Sequence, residues 1–380
     1  MTKKHHTEVL IVGAGPAGAA LAVWLARKGV ECLLVDRARF PRRKPCASCF
    51  SPLCLPWLRD LGLEGEVRTG QRIRYIEVQS PKSFLRFDTA NNPLGSSFHV
   101  FPRIEFDRLL VEKARALGVP LLEGIPVESL VSEGGAVVGA RGNGMEFRAR
   151  VTVVATGSFT RFLPAEHRPD VRTYQTLIGW YEGVADLDPL ITDSFTAPWL
   201  LGSGWVFPES PRSANVGIMV HEALRKASRA SLRELFEAYC ETPFVKKRLK
   251  GAKRAGPLRG SPIRYSLRPK GICGDGFLMV GEACLLTQPL TGEGISQALS
   301  SAALAAEVLG RERGTSPCRR EQLRPYEDGI RERFGRDFRK AGFLRRWLDR
   351  PVPLEAGISL VRRVPGLHAW IEKRLHRVVL

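Results

Sequence analysis

Glu8-Val9-Leu10-Ile11-Val12-Gly13-Ala14-Gly15-Pro16-Ala17-Gly18 passes without a break into Ala19-Ala20-Leu21-Ala22-Val23-Trp24-Leu25-Ala26. Four apolar residues, three glycines spaced G-x-G-x-x-G and an alanine-rich helix are what a dinucleotide-binding strand, turn and helix require. Gly13 allows the tight turn, and Gly15 lets the backbone approach a pyrophosphate. Gly18 lets the helix pack closely on the strand, so that the helix N-terminus faces the negative charge. A strand-to-helix turn that holds no ligand uses the same residues, so the motif makes a further demand: an acidic residue closing the next strand, about 20 residues on. Val30-Glu31-Cys32-Leu33-Leu34-Val35-Asp36-Arg37 meets it, with Asp36 ending an apolar run that follows the Lys28-Gly29 helix stop.

At 380 residues the chain has room for two domains, and 44% hydrophobic content is ordinary for a globular protein with a large core. No apolar run approaches the roughly 18 residues of a membrane span, and Met1-Thr2-Lys3-Lys4-His5-His6 leads directly into the first strand, so a cytoplasmic location is expected. The formal charge is +19, and residues 311–380 hold 18 Lys plus Arg against 9 Asp plus Glu. An anionic membrane surface or a phosphorylated lipid answers such a field, and a solvated surface explains it equally well. Nucleic acid is not expected as a partner, since no recognised nucleic-acid motif accompanies the charge.

Of eight cysteines, Cys46, Cys49 and Cys54 form C-x2-C-x4-C. No second C-x2-C and no nearby His completes a tetrahedral zinc site, so no metal is expected. Cys46 and Cys49 lie in, and Cys54 follows, Arg37-Ala38-Arg39-Phe40-Pro41-Arg42-Arg43-Lys44-Pro45-Cys46-Ala47-Ser48-Cys49, too rich in Pro and charge for a core strand and too long for a simple turn. The run reads as a functional loop whose cations either neutralise a phosphate or are simply solvated.

Further along, a short helix is expected from Ser51 to Leu63, and strands over Ile73–Val78 and Phe84–Phe87. The breaker Asn91-Asn92-Pro93-Leu94-Gly95 then precedes a helix that runs through Leu117 and stops at Gly118. Short strands follow over Leu121–Gly124, Pro126–Ser132, Ala136–Arg141 and Met145–Arg150, and then Val151-Thr152-Val153-Val154-Ala155-Thr156-Gly157, which reads as a returning parallel strand ending beside the first glycine turn. Residues 165–265 change texture, with interrupted strands, most of the aromatics and a helix from Ser228 to Cys240, which indicates an antiparallel sheet. Gly202-Ser203-Gly204-Trp205-Val206-Phe207-Pro208 and Ala214-Asn215-Val216-Gly217-Ile218 pair there as strand, turn and strand.

Small-residue texture returns at Gly281-Glu282-Ala283 and at Pro289-Leu290-Thr291-Gly292-Glu293-Gly294, which opens a helix through Ile295 to about Leu309. A glycine-flanked helix start directs free N–H groups at what precedes it, which suits the negative charge of a reduced flavin and argues for FAD rather than NAD. From Glu321 the chain is basic and partly amphipathic, with Phe334, Phe338, Phe343, Leu344, Trp347 and Leu348 at spacings of three and four. Closure over the core as helices is favoured over an apolar side laid in a membrane interface.

Taken together, these motifs resemble the geranylgeranyl reductase family of FAD-dependent oxidoreductases, within the para-hydroxybenzoate hydroxylase-like flavoproteins, over about residues 8–310. The supports are the glycine turn with Asp36, the loop Phe40-Pro41-Arg42-Arg43-Lys44-Pro45-Cys46, Arg103 with Asp107, Ala155-Thr156-Gly157, Gly204-Trp205-Val206-Phe207-Pro208, and Gly281-Glu282-Ala283 before Pro289–Gly294. The resemblance implies an α/β fold: a discontinuous Rossmann-like FAD-binding domain (1–72, 100–164 and 266–312), an antiparallel-sheet substrate domain (73–99 and 165–265) and a basic helical region (313–380).

It also implies FAD contacts at Gly13, Gly15, Pro16, Ala17 and Gly18 (pyrophosphate), and at Asp36 and Arg37 (adenosine end). Arg103 would lie along the cofactor, Ala155 and Gly157 at the returning turn, Gly281 and Glu282 near the ribityl chain, and Pro289, Gly292, Gly294 and Ile295 at the isoalloxazine. Trp205, Phe207 and Pro208 become the wall of an apolar tunnel, and Cys46 the residue at the flavin. The expected activity is reduction of carbon–carbon double bonds in a hydrophobic, phosphorylated or neutral prenyl lipid. NAD(P)H or another reductant, including a redox partner protein, would supply electrons, with peripheral attachment at the inner face of a membrane as a further expectation. The alternatives are a flavin monooxygenase and a membrane-associated electron-transfer flavoprotein.

Three departures qualify the match. Glu282 stands where the family has Asp, Cys46 continues into Ala47-Ser48-Cys49 rather than glycines, and Ser203 replaces the first Trp of the halogenase Trp-x-Trp-x-Ile-Pro signature, which disfavours halogenation.

Overall fold

The computed structural model describes residues 3–80, 82–89, 97–164, 171–187, 190–194, 202–222, 225–226, 229–311, 314, 317–348 and 351–378. In chain order the main elements are β1 (Lys3–Val12), α1 (Pro16–Arg27), β2 (Cys32–Asp36), β3 (Tyr75–Gln79), β4 (Phe84–Asp88), α2 (Arg103–Ala116), β5 (Met145–Val154), β6 (Arg172–Glu182), β7 (Gly202–Ser210), β8 (Ser213–His221), β9 (Phe277–Met279), α3 (Ile295–Arg311), α4 (Arg320–Leu348), α5 (Pro351–Arg363) and α6 (Leu367–Val378).

Val9, Leu10 and Ile11 are fully buried because β1 sits in the middle of a parallel sheet ordered β9-β5-β1-β2 and then Leu121–Glu123. A strand covered on both faces needs an unbroken apolar run rather than an alternating one. The register pairs Val12 with Val154 on one side and with Val35 on the other, and Val154 with Met279. Four strands therefore end level, and loops from all of them converge at one carboxyl edge, where open α/β sheets bind ligands. Helices α1, α2 and α3 bury one face, with Leu21, Leu25, Phe106, Leu110, Leu299 and Leu309 among the buried side chains. A hairpin of Ser129–Glu133 and Ala136–Gly142 covers the other around Leu10, Val35, Ala140 and Phe147.

The second sheet runs Lys253–Arg254, β6, β8, β7, Leu190–Ser194, β3, β4, with Arg259–Tyr265 also on β6. It is antiparallel except where Leu190–Ser194 lies parallel to β3. Side chains alternate across it. Trp205, Phe207 and Met219 join Ile76, Phe98, Tyr174 and Ile178 on the face toward the first sheet, while Val206, Val216 and Ile218 pack on Phe236 and Tyr239 behind.

Several sequence expectations shift in detail. Met145–Arg150 and the following apolar run are one ten-residue strand, because β1 pairs with it along its whole length from Lys3 to Val12. The strand expected over Ile73–Val78 divides at Arg74 into Gln71–Ile73 and β3. The helix expected from Ser228 begins at Leu232, where Ser231 and Glu234 form a reciprocal capping box. Ser228 itself, the Asn91–Gly95 breaker and the side chains of Trp347 and Leu348 lie outside the described residues. The C-terminal helices close over the core: Tyr326, Ile330 and Phe338 of α4 are buried against the first sheet's helices, and the Tyr326 hydroxyl donates to Met279 O at 2.6 Å. Phe343 departs from that pattern and is 64% exposed. Among the described residues no helix is long and apolar enough to cross a membrane.

Candidate functional site

A cavity of about 790 Å³ starts at the carboxyl edge of the parallel sheet and ends against the second sheet. That volume lies in the upper part of the roughly 300–1,000 Å³ range of small-molecule sites. Its first section is the glycine turn. Gly13 has φ +108°, and a Cβ there would lie 2.4 Å from Ala155 O, so only glycine fits. Gly15 caps α1 with no side-chain bond, leaving the first turn's N–H groups toward the cavity. Both oxygens of the buried Asp36 carboxylate are fixed by backbone, Oδ2 by Ala14 N–H and Oδ1 by Ala38 N–H, each at 2.7 Å. Arg37 lies over the Phe159 ring, 3.9 Å from its centroid.

The basic loop is not merely solvated. Asp107, with no exposure, receives a two-pronged pair from Arg103 at 2.9 and 3.0 Å and a third contact from Arg42 at 3.0 Å. Burial would lower the pKa of the Arg103 guanidinium, but the Asp107 carboxylate paired with it raises it instead. The loop is thereby tied to α2, with Arg42 Nη2 standing 3.6 Å from where a Gly15 Cβ would be. A cation held beside the pyrophosphate turn is suited to phosphate charge.

Glu282 uses its extra methylene to reach the second sheet: Arg264 N–H donates to Oε1 at 3.0 Å, and Lys44 Nζ is 3.9 Å from Oε2. Burial pushes this carboxyl above its ordinary range, against the pull of Lys44 and the Arg264 N–H. Glu293, between the two glycines of the α3 entry, is also raised by burial, although Ser51 donates to its Oε1 at 2.6 Å. Gly292 has φ +72° and lies against Met219, so the helix entry closes the cavity where it meets the second sheet.

Gly13, Gly15, Pro16, Ala17, Asp36, Arg37, Cys46, Arg103, Ala155, Gly157, Glu282, Gly292, Gly294, Ile295, Trp205 and Phe207 all line this cavity. Four expected residues do not. Gly18 supports from behind, since a Cβ there would sit 1.8 Å from Gly13 O, and Gly281 is packed on Ala17, with its N–H donated to Ser301 Oγ at 2.9 Å. Pro289 turns its carbonyl to the Tyr174 hydroxyl at 3.3 Å. Pro208 shares the parity of Val206, so the period-2 alternation of β7 sends it to the face opposite Trp205 and Phe207.

Cys46 and Cys49 line the cavity and are not joined in a disulfide, whereas burial drives the Cys54 thiol far above its usual range. Among the described residues no cluster of His, Cys, Asp or Glu could hold a metal. Two contributors were not foreseen. Asn215 is fully buried and joins Trp205 to the Cys46 loop. Arg345, from the basic tail, donates to Leu290 O at 2.9 Å and braces the α3 entry. A polar residue inside an apolar strand signalled the first, and nothing local signals the second.

Residues 6–161 match the family model of the FAD binding domain. The chain is an FAD-dependent oxidoreductase. Menaquinone reductase of Mycobacterium tuberculosis is 27% identical over 354 residues, covering 89% of this chain and 83% of that protein. Digeranylgeranylglycerophospholipid reductase of Methanoculleus marisnigri is 29% identical over 337 residues, 85% of this chain and 81% of that one. A tryptophan 2-halogenase of Chondromyces crocatus is 29% identical over 323 residues, 79% and 60% respectively. The crystal structure of a geranylgeranyl bacteriochlorophyll reductase-like protein from Thermoplasma acidophilum superposes with a TM-score of 0.82 at 22% identity, over 99% of this chain and 98% of that one. The resemblance to geranylgeranyl reductases thus holds across nearly the whole chain, and the FAD-binding fold with it. The glycine cradle, the fixed Asp36 carboxylate and the uncapped α1 start fit that cofactor.

Proposed function

We propose that this flavoprotein reduces carbon–carbon double bonds in the isoprenoid chain of a lipid. The observation that carries the reading is the continuity of the cavity: it passes from the glycine turn to an apolar wall of Ile76, Phe98, Ile178, Trp205, Phe207 and Met219, the surface a hydrocarbon chain would lie against. The relatives' names support it, since menaquinones and digeranylgeranyl glycerophospholipids both carry isoprenoid chains.

In this reading Gly13, Gly15 and Ala17 hold the pyrophosphate with Arg42 as counter-charge, Asp36 binds the adenosine ribose, and Gly292, Gly294 and Ile295 meet the flavin ring. Reduced FAD, when bound, supplies the hydride. An isolated alkene has no carbonyl to polarise, so the protein's share is alignment and exclusion of water. Trp205 and Phe207 restrict the chain to one path. The Cys46 thiol, which accepts the Ser48 N–H at 3.4 Å, faces the cavity as proton donor or positioning group. Electrons come from NAD(P)H or a redox protein that docks transiently.

The test is anaerobic turnover. Enzyme reduced with dithionite and given a geranylgeranylated glycerophospholipid or a menaquinone should yield a product heavier by two hydrogens per double bond reduced. If the mass is unchanged there, and a parallel reaction in air consumes oxygen with oxygen or halogen entering a substrate, the chain instead acts as a monooxygenase or as its halogenase relatives do. Cys46→Ser with full turnover would remove the thiol's role alone.

A further inference from the structure

Seven large hydrophobic side chains are exposed among the described residues, and five of them, Phe84, Phe343, Leu360, Val364 and Trp370, belong to β4, the C-terminal helices and the turn between α5 and α6. Helices α5 and α6 are held onto the β3–β4 hairpin by their own acids. Glu355 accepts from the Lys82 N–H and the Ser83 hydroxyl, each at 2.8 Å, and Glu372 from the Asp88 N–H at 2.6 Å. His368 stacks on Phe87 and bonds Arg86 O at 2.9 Å, while Ile371 packs on the apolar cluster that includes Trp205 and Phe207. With both carboxylates turned inward, the outward side of the pair is left with Leu360, Arg362, Arg363, Val364, Trp370 and Lys373, all exposed. A cleft at the seam between α5 and the hairpin is lined by Lys82, Arg362 and Arg363, by the Ser83 and Ser359 side chains, and by Glu355. Three cations therefore face one carboxylate that is already engaged. The Arg362 guanidinium lies 6.0 Å from the Phe84 ring centroid, so cation and apolar surface are interleaved.

We propose that this face docks on an anionic phospholipid membrane, with Leu360, Val364 and Trp370 entering the interface and a headgroup phosphate seated at Lys82, Arg362 and Arg363. Cations flanking apolar side chains on an amphipathic surface are what such a membrane binds. A second copy of the chain suits it less: two-fold pairing would set Arg362 and Arg363 near their own copies. A nucleic acid offers no partner for exposed Leu360 and Val364. The docked face is the outer side of the cluster that walls the cavity, so the lipid surface would lie against the substrate domain rather than the cofactor end.

Sedimentation of the full flavin-loaded chain with sucrose-filled vesicles tests this without turnover, and so independently of the proposed reaction. Vesicles of phosphatidylcholine with 30% phosphatidylglycerol should retain the protein at low salt, and pure phosphatidylcholine vesicles should not. Each basic side chain near the surface contributes roughly fivefold, so Lys82→Gln/Arg362→Gln/Arg363→Gln should lower partitioning on the order of 100-fold. Leu360→Ser/Trp370→Ser should weaken it with its salt dependence retained. Both variants should keep the wild-type flavin content, which separates lost docking from lost folding. Wild-type protein that binds neither vesicle, or binds both equally, or variants that bind like wild type, would overturn the proposal. So would a dimer by light scattering that the same substitutions dissociate.

Discussion

The Trp205 indole N–H donates to Asn215 Oδ1 at 2.8 Å, and through that bond the apolar wall of the cavity is coupled to the loop that carries Cys46. Asn215 Nδ2 in turn donates to Ala47 O at 3.0 Å and to Glu209 Oε1 at 3.3 Å. Asn215→Leu keeps the volume but strands a buried donor and two acceptors. We expect a loss of about 1–3 kcal/mol in urea unfolding of the flavin-free protein, with weaker substrate binding as the wall and loop come apart. Trp205→Phe, which removes one bond, should cost less.

Gly15 and Gly18 separate binding from folding. Gly15 has φ −72° and ψ −174°, open to any residue, and a Cβ there meets nothing nearer than Arg42 Nη2 at 3.6 Å. Gly15→Ala should therefore fold with an unchanged melting temperature in the flavin-free state yet purify with less flavin, read from absorbance near 450 nm. Gly18→Ala forces a Cβ within 1.8 Å of Gly13 O and should lower the melting temperature itself.

Asp107→Asn removes the common counter-charge of Arg103 and Arg42. A buried pair broken on one side costs about 3–5 kcal/mol, and unfolding of the variant should show a loss of that order. With Arg42 released from its place beside the glycine turn, flavin affinity should fall as well.

Glu293→Gln should alter the pH dependence of stability. Burial raises the Glu293 carboxyl above its unfolded value, so its favourable contribution is complete below the unfolded pKa and is lost as pH rises through the folded one. Flavin-free wild type should therefore lose stability relative to the glutamine variant between mildly acidic and alkaline pH, with the variant the more stable at pH 8. Glu282 and Glu209 are raised in the same direction but are present in both proteins, and the buried Cys54 thiol nearby stays neutral throughout, so the difference isolates Glu293. Parallel pH curves for the two proteins would contradict it.

Much of the parallel sheet was readable because its cues are local. The run Val9–Val12, the G-x-G-x-x-G spacing and Asp36 each constrain backbone within a few residues of themselves. The cavity wall was half readable: aromatics in β7 stood out, but only the observed register shows that Trp205 and Phe207 face inward and Pro208 does not. The ion cluster on Asp107 joins residues 42, 103 and 107, and a charge run looks solvated until its partner is found. Arg345 was the least legible, one of many arginines in a basic tail and yet 2% exposed.

Arg345 also has a practical consequence for engineering. The glycine loop that would underlie the flavin ring belongs to residues 288–294, but two of its supports are distant: the Arg345 guanidinium on Leu290 O, and the Tyr174 hydroxyl on Pro289 O, with Arg345 lying over the Tyr174 ring at 5.1 Å. A chimera that exchanges substrate domains or C-terminal helices with a relative must carry Tyr174 and Arg345 as a matched pair. Otherwise the graft will import a new substrate wall and unsettle the floor beneath the cofactor.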